Sequence, residues 1–250
     1  MNNITRKINI NKTKVILIAV CMLFVLTTIL LVVLYTNGLL GIHHHTEPDD
    51  GQIKVACVGD SITYGHGVSN WQKNNYPAQL QDILGDGYHV ENFGHSGRTL
   101  SNDGDSPYTE SKQYKLSLEY DADIIIFMLG TNDSKPDNWT DADTFIAEYE
   151  ALLDSYRENN PDVRIILCTP PRAFFTGNKT DGKTSFDIQP AVVEEIVTRI
   201  KTFALLNEYE CIDIYDVTQG HSEWFCSDKV HPNADGARAI AEAVANKINK

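Results

Sequence analysis

Two kinds of hydrophobic pattern divide the chain. Residues 15–35, "VILIAVCMLFVLTTILLVVLY", run without a single charge. As a helix such a run spans roughly 31 Å, close to the hydrocarbon thickness of a bilayer. Beyond residue 52 the pattern changes, and short apolar runs alternate with segments of helical period. "IKVACV" (53–58), "YHVENF" (88–93), "DIIIFML" (123–129), "VRIILC" (163–168) and "CIDIYDV" (211–217) read as five strands. The third is apolar nearly throughout, as a strand buried on both faces must be. Residues 77–84, 110–119, 141–159, 190–206 and 235–249 read as helices, the last with Ile240, Ala241, Val244, Ala245 and Ile248 on one face. Residues 36–52 show no period and hold Gly38, Gly41, Pro48 and "DDG", so they read as a linker. Its histidine tract, His43 to His45, reads as exposed. Strands alternating with helices imply a mostly parallel sheet covered on both faces, with right-handed crossovers and ligands at the carboxyl ends of the strands.

The residues just beyond each strand then matter. The first strand delivers Gly59, Asp60 and Ser61; the second leads into "GHSGRT" (94–99), the third into "GTNDS" (130–134) and the fifth into "CSDKVHPNADG" (226–236). Turn chemistry accounts for each stretch alone. It does not account for the groups that they gather on one edge. A serine hydroxyl is a weak nucleophile until a base takes its proton, and the usual base is a histidine oriented by a carboxylate. Among the eight histidines, His43, His44 and His45 lie in the linker, His89 inside a strand, and His66 and His221 lack an acid at a useful offset. His95 stands beside Ser96 and borders the edge. His231 comes three residues after Asp228, which lets the carboxylate reach Nδ1 and leaves Nε2 for Ser61. Oxyanion donors are available from the amides of Ser61 and Gly97 and from the Asn132 side chain. Gly97 can equally serve only a turn, and Asn132 only a loop cap.

Composition adds placement. The chain is 42% hydrophobic and 22% charged, enough for one sizeable core. Its net charge is −13; residues 1–36 hold Arg6, Lys7, Lys12 and Lys14 and no acid, a contribution of +4, so the remainder carries −17. Cations ahead of an apolar run stay cytoplasmic and send the chain beyond the run outward. The run exceeds the roughly 7–15 residues of a secretory core and offers no A-x-A site. Residues 1–14 therefore read as a cytoplasmic terminus, 15–35 as one uncleaved transmembrane signal anchor, 36–52 as the linker and 53–250 as an extracytoplasmic domain. A domain this acidic repels nucleic acid and anionic lipid, which leaves the helix as the only membrane contact. Cys21, Cys57, Cys168, Cys211 and Cys226 match neither a disulfide framework nor a C-x-x-C metal site. No metal and no cofactor is expected.

"GDSIT" (59–63), Gly97 in "HSGRT", Asn132 in "GTND", and Asp228 with His231 in "DKVHPNADGA" resemble, in that order, the SGNH hydrolases, also called GDSL esterases. The resemblance implies an α/β fold, a three-layer α/β/α sandwich with a five-stranded parallel sheet. It implies Ser61 as nucleophile, His231 as base and Asp228 as its orienter, with Gly97 and Asn132 joining the Ser61 amide as oxyanion donors. Ile62 replaces the leucine of the family name and keeps its apolar character. Thr63 occupies the second glycine position of a G-x-S-x-G elbow, which argues against an α/β-hydrolase, and no G-K-[ST] phosphate loop is present.

Loops near these blocks offer a pocket wall. "SKPDNW", "PPRAFF" and "HSEWF" bring Lys135, Asn138, Trp139, Arg172, Phe174, Phe175, His221, Trp224 and Phe225; of these Trp139, Arg172 and Trp224 are the candidates for substrate contact. Loop aromatics stack on sugar faces or anchor loops. "GTNDSKPDNW" with "GHSEWF" is similar to SGNH esterases that deacetylate carbohydrates, sialate O-acetylesterases among them. That resemblance implies a serine esterase acting on small acyl esters, chiefly O-acetyl, of a carbohydrate. No long apolar lid is available to bury a fatty chain at about 0.8 kcal/mol per methylene. An O-acyltransferase, a lysophospholipase or thioesterase, and a non-catalytic glycan-binding module are the other readings.

Overall fold

The computed structural model describes residues 2–36, 45–176 and 184–250, with the backbone alone at residues 2–13 and 35–36. The five apolar runs pair as one parallel sheet of β1 (Ile53–Gly59), β2 (Tyr88–Gly94), β3 (Ile124–Met128), β4 (Arg164–Cys168) and β5 (Glu210–Ile212), in the order β2-β1-β3-β4-β5. Because successive side chains point to opposite faces, each inner strand feeds two cores. Val55 and Cys57 of β1, with Ile126, Met128 and Ile166, pack against Leu80 of α4 (Tyr76–Leu84) and Ile240, Ala241 and Val244 of α9 (Ala234–Ile248). Ala56 and Val58, with Ile125, Phe127 and Leu167, pack against α6 (Ala142–Asn159) and α7 (Pro190–Leu206), through Phe145, Tyr149, Leu153, Ile196 and Ile200. Helix α5 (Lys112–Glu119) lies on that same side. The result is the expected three-layer sandwich.

Two segments differ from their sequence pattern. The fifth strand is three residues long, because the Asp213 side chain accepts the Asp216 N–H and caps a short helix, α8 (Ile214–Val217). The alternation of "CIDIYDV" conceals that cap. The helix expected over 110–119 breaks at Ser111, whose hydroxyl accepts the Tyr114 N–H; a separate 3-10 turn, Tyr108–Glu110, precedes it.

At the other end, α1 (Asn2–Thr36) contains one stretch, Lys14–Leu34, long and apolar enough to cross a membrane. Length and composition fit a span or a signal sequence equally. Residues 37–44 of the linker, with His43 and His44, lie outside the described residues, as do the side chains of Arg6, Lys7 and Lys12. His45 is described and is not a loose tract end: Nδ1 lies 2.8 Å from Glu91 Oε2, and the ring stacks on Phe93 with centroids 4.9 Å apart.

With β2 on one side of β1 and β3 on the other, the crevice at the carboxyl end of β1 is the switch point where such sheets bind ligands. Gly59 lets the chain turn there. A Cβ on it would collide with the Thr63 side chain and the Met128 carbonyl, so only glycine lets α2 (Ser61–Tyr64) fold back against the sheet edge. Gly59→Ala should lower stability by about 1–3 kcal/mol, the range for overpacking. Urea denaturation should show a lower midpoint at unchanged slope.

Candidate active site

Ser61 is the first residue of α2, and Asp60 caps it by accepting the Ile62 N–H at 2.9 Å. The serine is buried, yet its Oγ lies 2.8 Å from His231 Nε2. His231 Nδ1 lies 2.9 Å from Asp228 Oδ2. A carboxylate only accepts, so Nδ1 must carry a proton toward Asp228; in the neutral ring Nε2 is then the acceptor, and the Ser61 hydroxyl donates to it. Asp228 Oδ1 also accepts the N–H groups of Val230 and His231, each at 2.9 Å. Burial pushes the Asp228 carboxyl up, but the bonds from the His231 ring, the His231 N–H and the Val230 N–H outweigh it and hold the group at about 2.

Asn132 enters from the turn after β3. Its Nδ2 donates to the Arg98 carbonyl at 3.0 Å and lies 3.4 Å from Asp60 Oδ2, while Asn138 holds the Asn132 carbonyl at 2.9 Å. Asp133, the next residue, accepts Ser101 N–H at 2.8 Å and Leu100 N–H at 3.0 Å. This carboxylate ties the loop after β3 to the loop after β2, which carries Gly97 at φ 80°. Burial pushes both Asp60 and Asp133 up to about 6, against the backbone hydrogen bonds that each accepts.

These groups meet at one cavity of about 230 Å³. Ser96, Gly97, Thr131, Asn132 and Lys135 form its polar side, and Phe186, Ile188 and Val230 its apolar side. Ser61, His66 and His231 line it too. The structure therefore brings Ser61, Asp228, His231, Gly97 and Asn132 together. It does not bring Trp139, Arg172 or Trp224 to the cavity. Trp139 packs at 6.0 Å from Phe145 beneath α6. The Arg172 guanidinium lies 3.9 Å from the Tyr215 ring centre and bonds to Gln219. Trp224 stacks on His221 with centroids 3.6 Å apart. Each indole or guanidinium is engaged by a neighbour within the fold. Sequence reasoning passed over His66, whose ring lies 4.6 Å from that of His231. It also passed over Phe186, Ile188 and Val230, which carry no local signal of chemistry. Among the described residues no three His, Cys, Asp or Glu side chains cluster as metal ligands would.

A serine, an imidazole and a carboxylate bonded in series, beside amide donors at the edge of a parallel sheet, can run acyl transfer through an oxyanion. Known proteins agree in class. The sequence model of the GDSL-like lipase/acylhydrolase family matches residues 57–239. The chain belongs to the GDSL-like lipase/acylhydrolase family. It is 36% identical over 222 residues to an acetylxylan esterase of Xylanibacter ruminicola, across 80% of this chain and 44% of that protein. The chain thus spans less than half the length of the curated relatives it matches. Among solved structures, a putative arylesterase from Agrobacterium tumefaciens superposes with TM-score 0.65 at 21% identity, covering 79% of this chain and 99% of that one. A carbohydrate acetylesterase family member from Sinorhizobium meliloti gives TM-score 0.64 at 22% identity, covering 79% and 98%. At these identities the structures share the fold.

The Asp228 geometry generates a pH prediction. Its folded value lies below the unperturbed carboxyl near 3.9, so the bonded carboxylate adds stability above about pH 4 and loses that contribution as the pH falls toward about 2. Asp228→Asn should melt below wild type at pH 5–7, with the gap closing on acidification to about 2. Melting curves at stepped pH check this; a gap that stays constant across that range contradicts it.

Proposed function

We propose that the chain is a membrane-anchored serine esterase that removes short acyl groups, chiefly acetyl, from carbohydrate hydroxyls outside the cytoplasm. The observation that carries this reading is the continuous Ser61–His231–Asp228 series lying against the Asn132 and Gly97 donors. Ser61 Oγ attacks the ester carbonyl as its proton passes to Nε2, and the carbonyl oxygen takes up negative charge. The Ser61 and Gly97 amides and the Asn132 side chain donate to that oxygen. The carbon–oxygen bond to the sugar then breaks, the Nε2 proton goes to the departing alkoxide, and the acyl group remains on Ser61. Water repeats the sequence and releases the acid. Asp228 keeps the ring in the tautomer that both steps need.

The substrate class rests on three supports. The Xylanibacter ruminicola relative is named an acetylxylan esterase. The cavity is about 230 Å³, small for an extended fatty chain. The chain outside its first 36 residues carries −17, being −13 overall with +4 in that segment, which opposes docking on an anionic bilayer. For placement, residues 15–35 act as the anchor, 1–14 as its cytoplasmic end and 36–52 as the linker to a domain over 53–250. The uncharged run and the four preceding cations support this topology.

Acetate release from an acetylated xylo-oligosaccharide tests the activity. Ser61→Ala should lower the rate about ten-thousandfold or more. Asn132→Ala should lower kcat about 10²–10³-fold, the loss typical of one oxyanion donor. Both should melt as wild type does. Near-normal turnover in Ser61→Ala sinks the mechanism, and acyl transfer to an added sugar in preference to water turns it into an acyltransferase.

Placement has its own test. Protease added to intact cells should shave off the domain and leave a short membrane-bound stub. Full protection of the domain, or a mature N-terminus beyond Tyr35, contradicts the anchor.

A further inference from the structure

Trp139, Arg172 and Trp224 do not line the cavity, so the contact that recognises the sugar must come from elsewhere. One residue beside the site is otherwise unexplained. Phe186 leaves 53% of its surface exposed and belongs to none of the buried clusters formed by the described residues. Its backbone is left-handed, at φ 61° and ψ 22°, and Asp187 comes next at φ 57°. Bulky L residues rarely adopt that conformation, and where they do the surrounding structure must hold them. It does so here through the two residues that follow the turn. Ile188 is buried with Val193, Val197 and Val230, the residue before His231. The Gln189 side chain donates to the Ser134 carbonyl at 2.8 Å, and its N–H to Ser134 Oγ at 3.3 Å, two residues beyond Asn132. The Ser185–Asp187 turn is thus fastened to the histidine loop and to the asparagine loop at once, and it sets the Phe186 ring edge-on to His231, with centroids 5.3 Å apart.

The direction of the reaction says what that ring meets. His231 Nε2 must hand its proton to the leaving oxygen, so the alcohol lies on the histidine side of Ser61 Oγ. Gly97 and Asn132 claim the carbonyl oxygen on the other. Phe186 lines the cavity on the histidine side and is the only phenyl, phenol or indole ring among the described residues that line it. A half-exposed, conformationally held aromatic face beside the departing oxygen matches the apolar face of a pyranose. Resting on the esterase reading, we propose that the Ser185–Asp187 turn carries the sugar subsite, with the Phe186 ring as the face on which the acetylated pyranose stacks while its oxygen leaves.

The test compares three probes on the purified full chain: peracetylated methyl xylopyranoside, ethyl acetate, which has no ring, and ethyl hexanoate, which lengthens the acyl chain. Wild type should prefer the sugar ester. Phe186→Ala and Phe186→Leu should lower kcat/KM for the sugar ester roughly three- to tenfold more than for ethyl acetate, mainly through KM, as the loss of one ring contact does. Phe186→Trp should retain the preference. If wild type itself shows no preference, the carbohydrate reading falls, and the subsite with it. If wild type prefers the sugar but Phe186→Ala lowers the sugar ester and ethyl acetate equally, or neither, the subsite falls and the reading stands. A gain of Phe186→Ala on ethyl hexanoate over ethyl acetate also overturns the proposal, because it would place the ring against the acyl chain.

Discussion

The Asp228 carboxylate takes its hydrogen bonds from residues just beyond it in the chain: the Val230 and His231 amides on one oxygen, the His231 ring on the other. One partly buried charge therefore fixes both the backbone path of the loop and the tautomer of the imidazole. Loop and ring orientation are not separable. The same loop is closed behind the histidine by Cys226 N–H on the His231 carbonyl at 2.8 Å and by Asn233 N–H on the Trp224 carbonyl at 2.8 Å. Asn233 then caps α9, accepting the Asp235 and Gly236 N–H groups. The position of Nε2 is in this way tied to a long helix packed on the sheet. Reach across 170 residues to Ser61 needs no more than both being pinned to the same sheet edge.

The turn that carries Asn132 is built by the same device with opposite electrostatics. Asp60 and Asp133 are buried carboxyls whose desolvation exceeds what their hydrogen bonds return, so both are raised to about 6, whereas Asp228 is lowered to about 2. The difference is one of solvation and partners. Asp228 keeps some contact with water and receives a ring N–H as well as two amides; Asp133 is buried and receives two amides from the loop after β2. The two hydrogen bonds that Asp133 accepts hold the turn carrying Asn132 against the loop that carries Gly97, which no local sequence preference would do.

The central strands are readable in the sequence because a parallel strand covered on both faces is apolar nearly throughout, as "IIIFM" is. The fifth strand is overestimated, since "IDIYDV" alternates as a strand does while Asp213 caps a helix instead. Ser61, Gly97, Asn132, Asp228 and His231 stand out because each lies beyond a strand end and all strand ends share one edge. Phe186 and His66 do not, because their relation to His231 exists only after loops distant in sequence converge. Choosing wall residues by type fails for the complementary reason: Trp139, Arg172 and Trp224 are large enough to find partners inside the fold, and they do.

The arrangement separates the frame that holds Ser61, His231 and Asn132 from the aromatic turn beside it. Ser61, His231 and Asn132 are set by elements of the sheet edge, through α2, α9 and the turn after β3. The Phe186 turn meets that frame through its ring on His231, and it is fastened by the two residues that follow it, Ile188 against Val230 and Gln189 to Ser134. A change in the length or sequence of the turn can alter what packs over the cavity and leave the Ser61–His231 distance to the carboxylate-built frame. Lys135, which also lines the cavity, is held by Asp105 at 3.6 Å and so presents a partly neutralised charge there. A cavity lined by one phenyl ring and by a lysine already paired with a carboxylate offers neither a free full charge nor extended apolar burial.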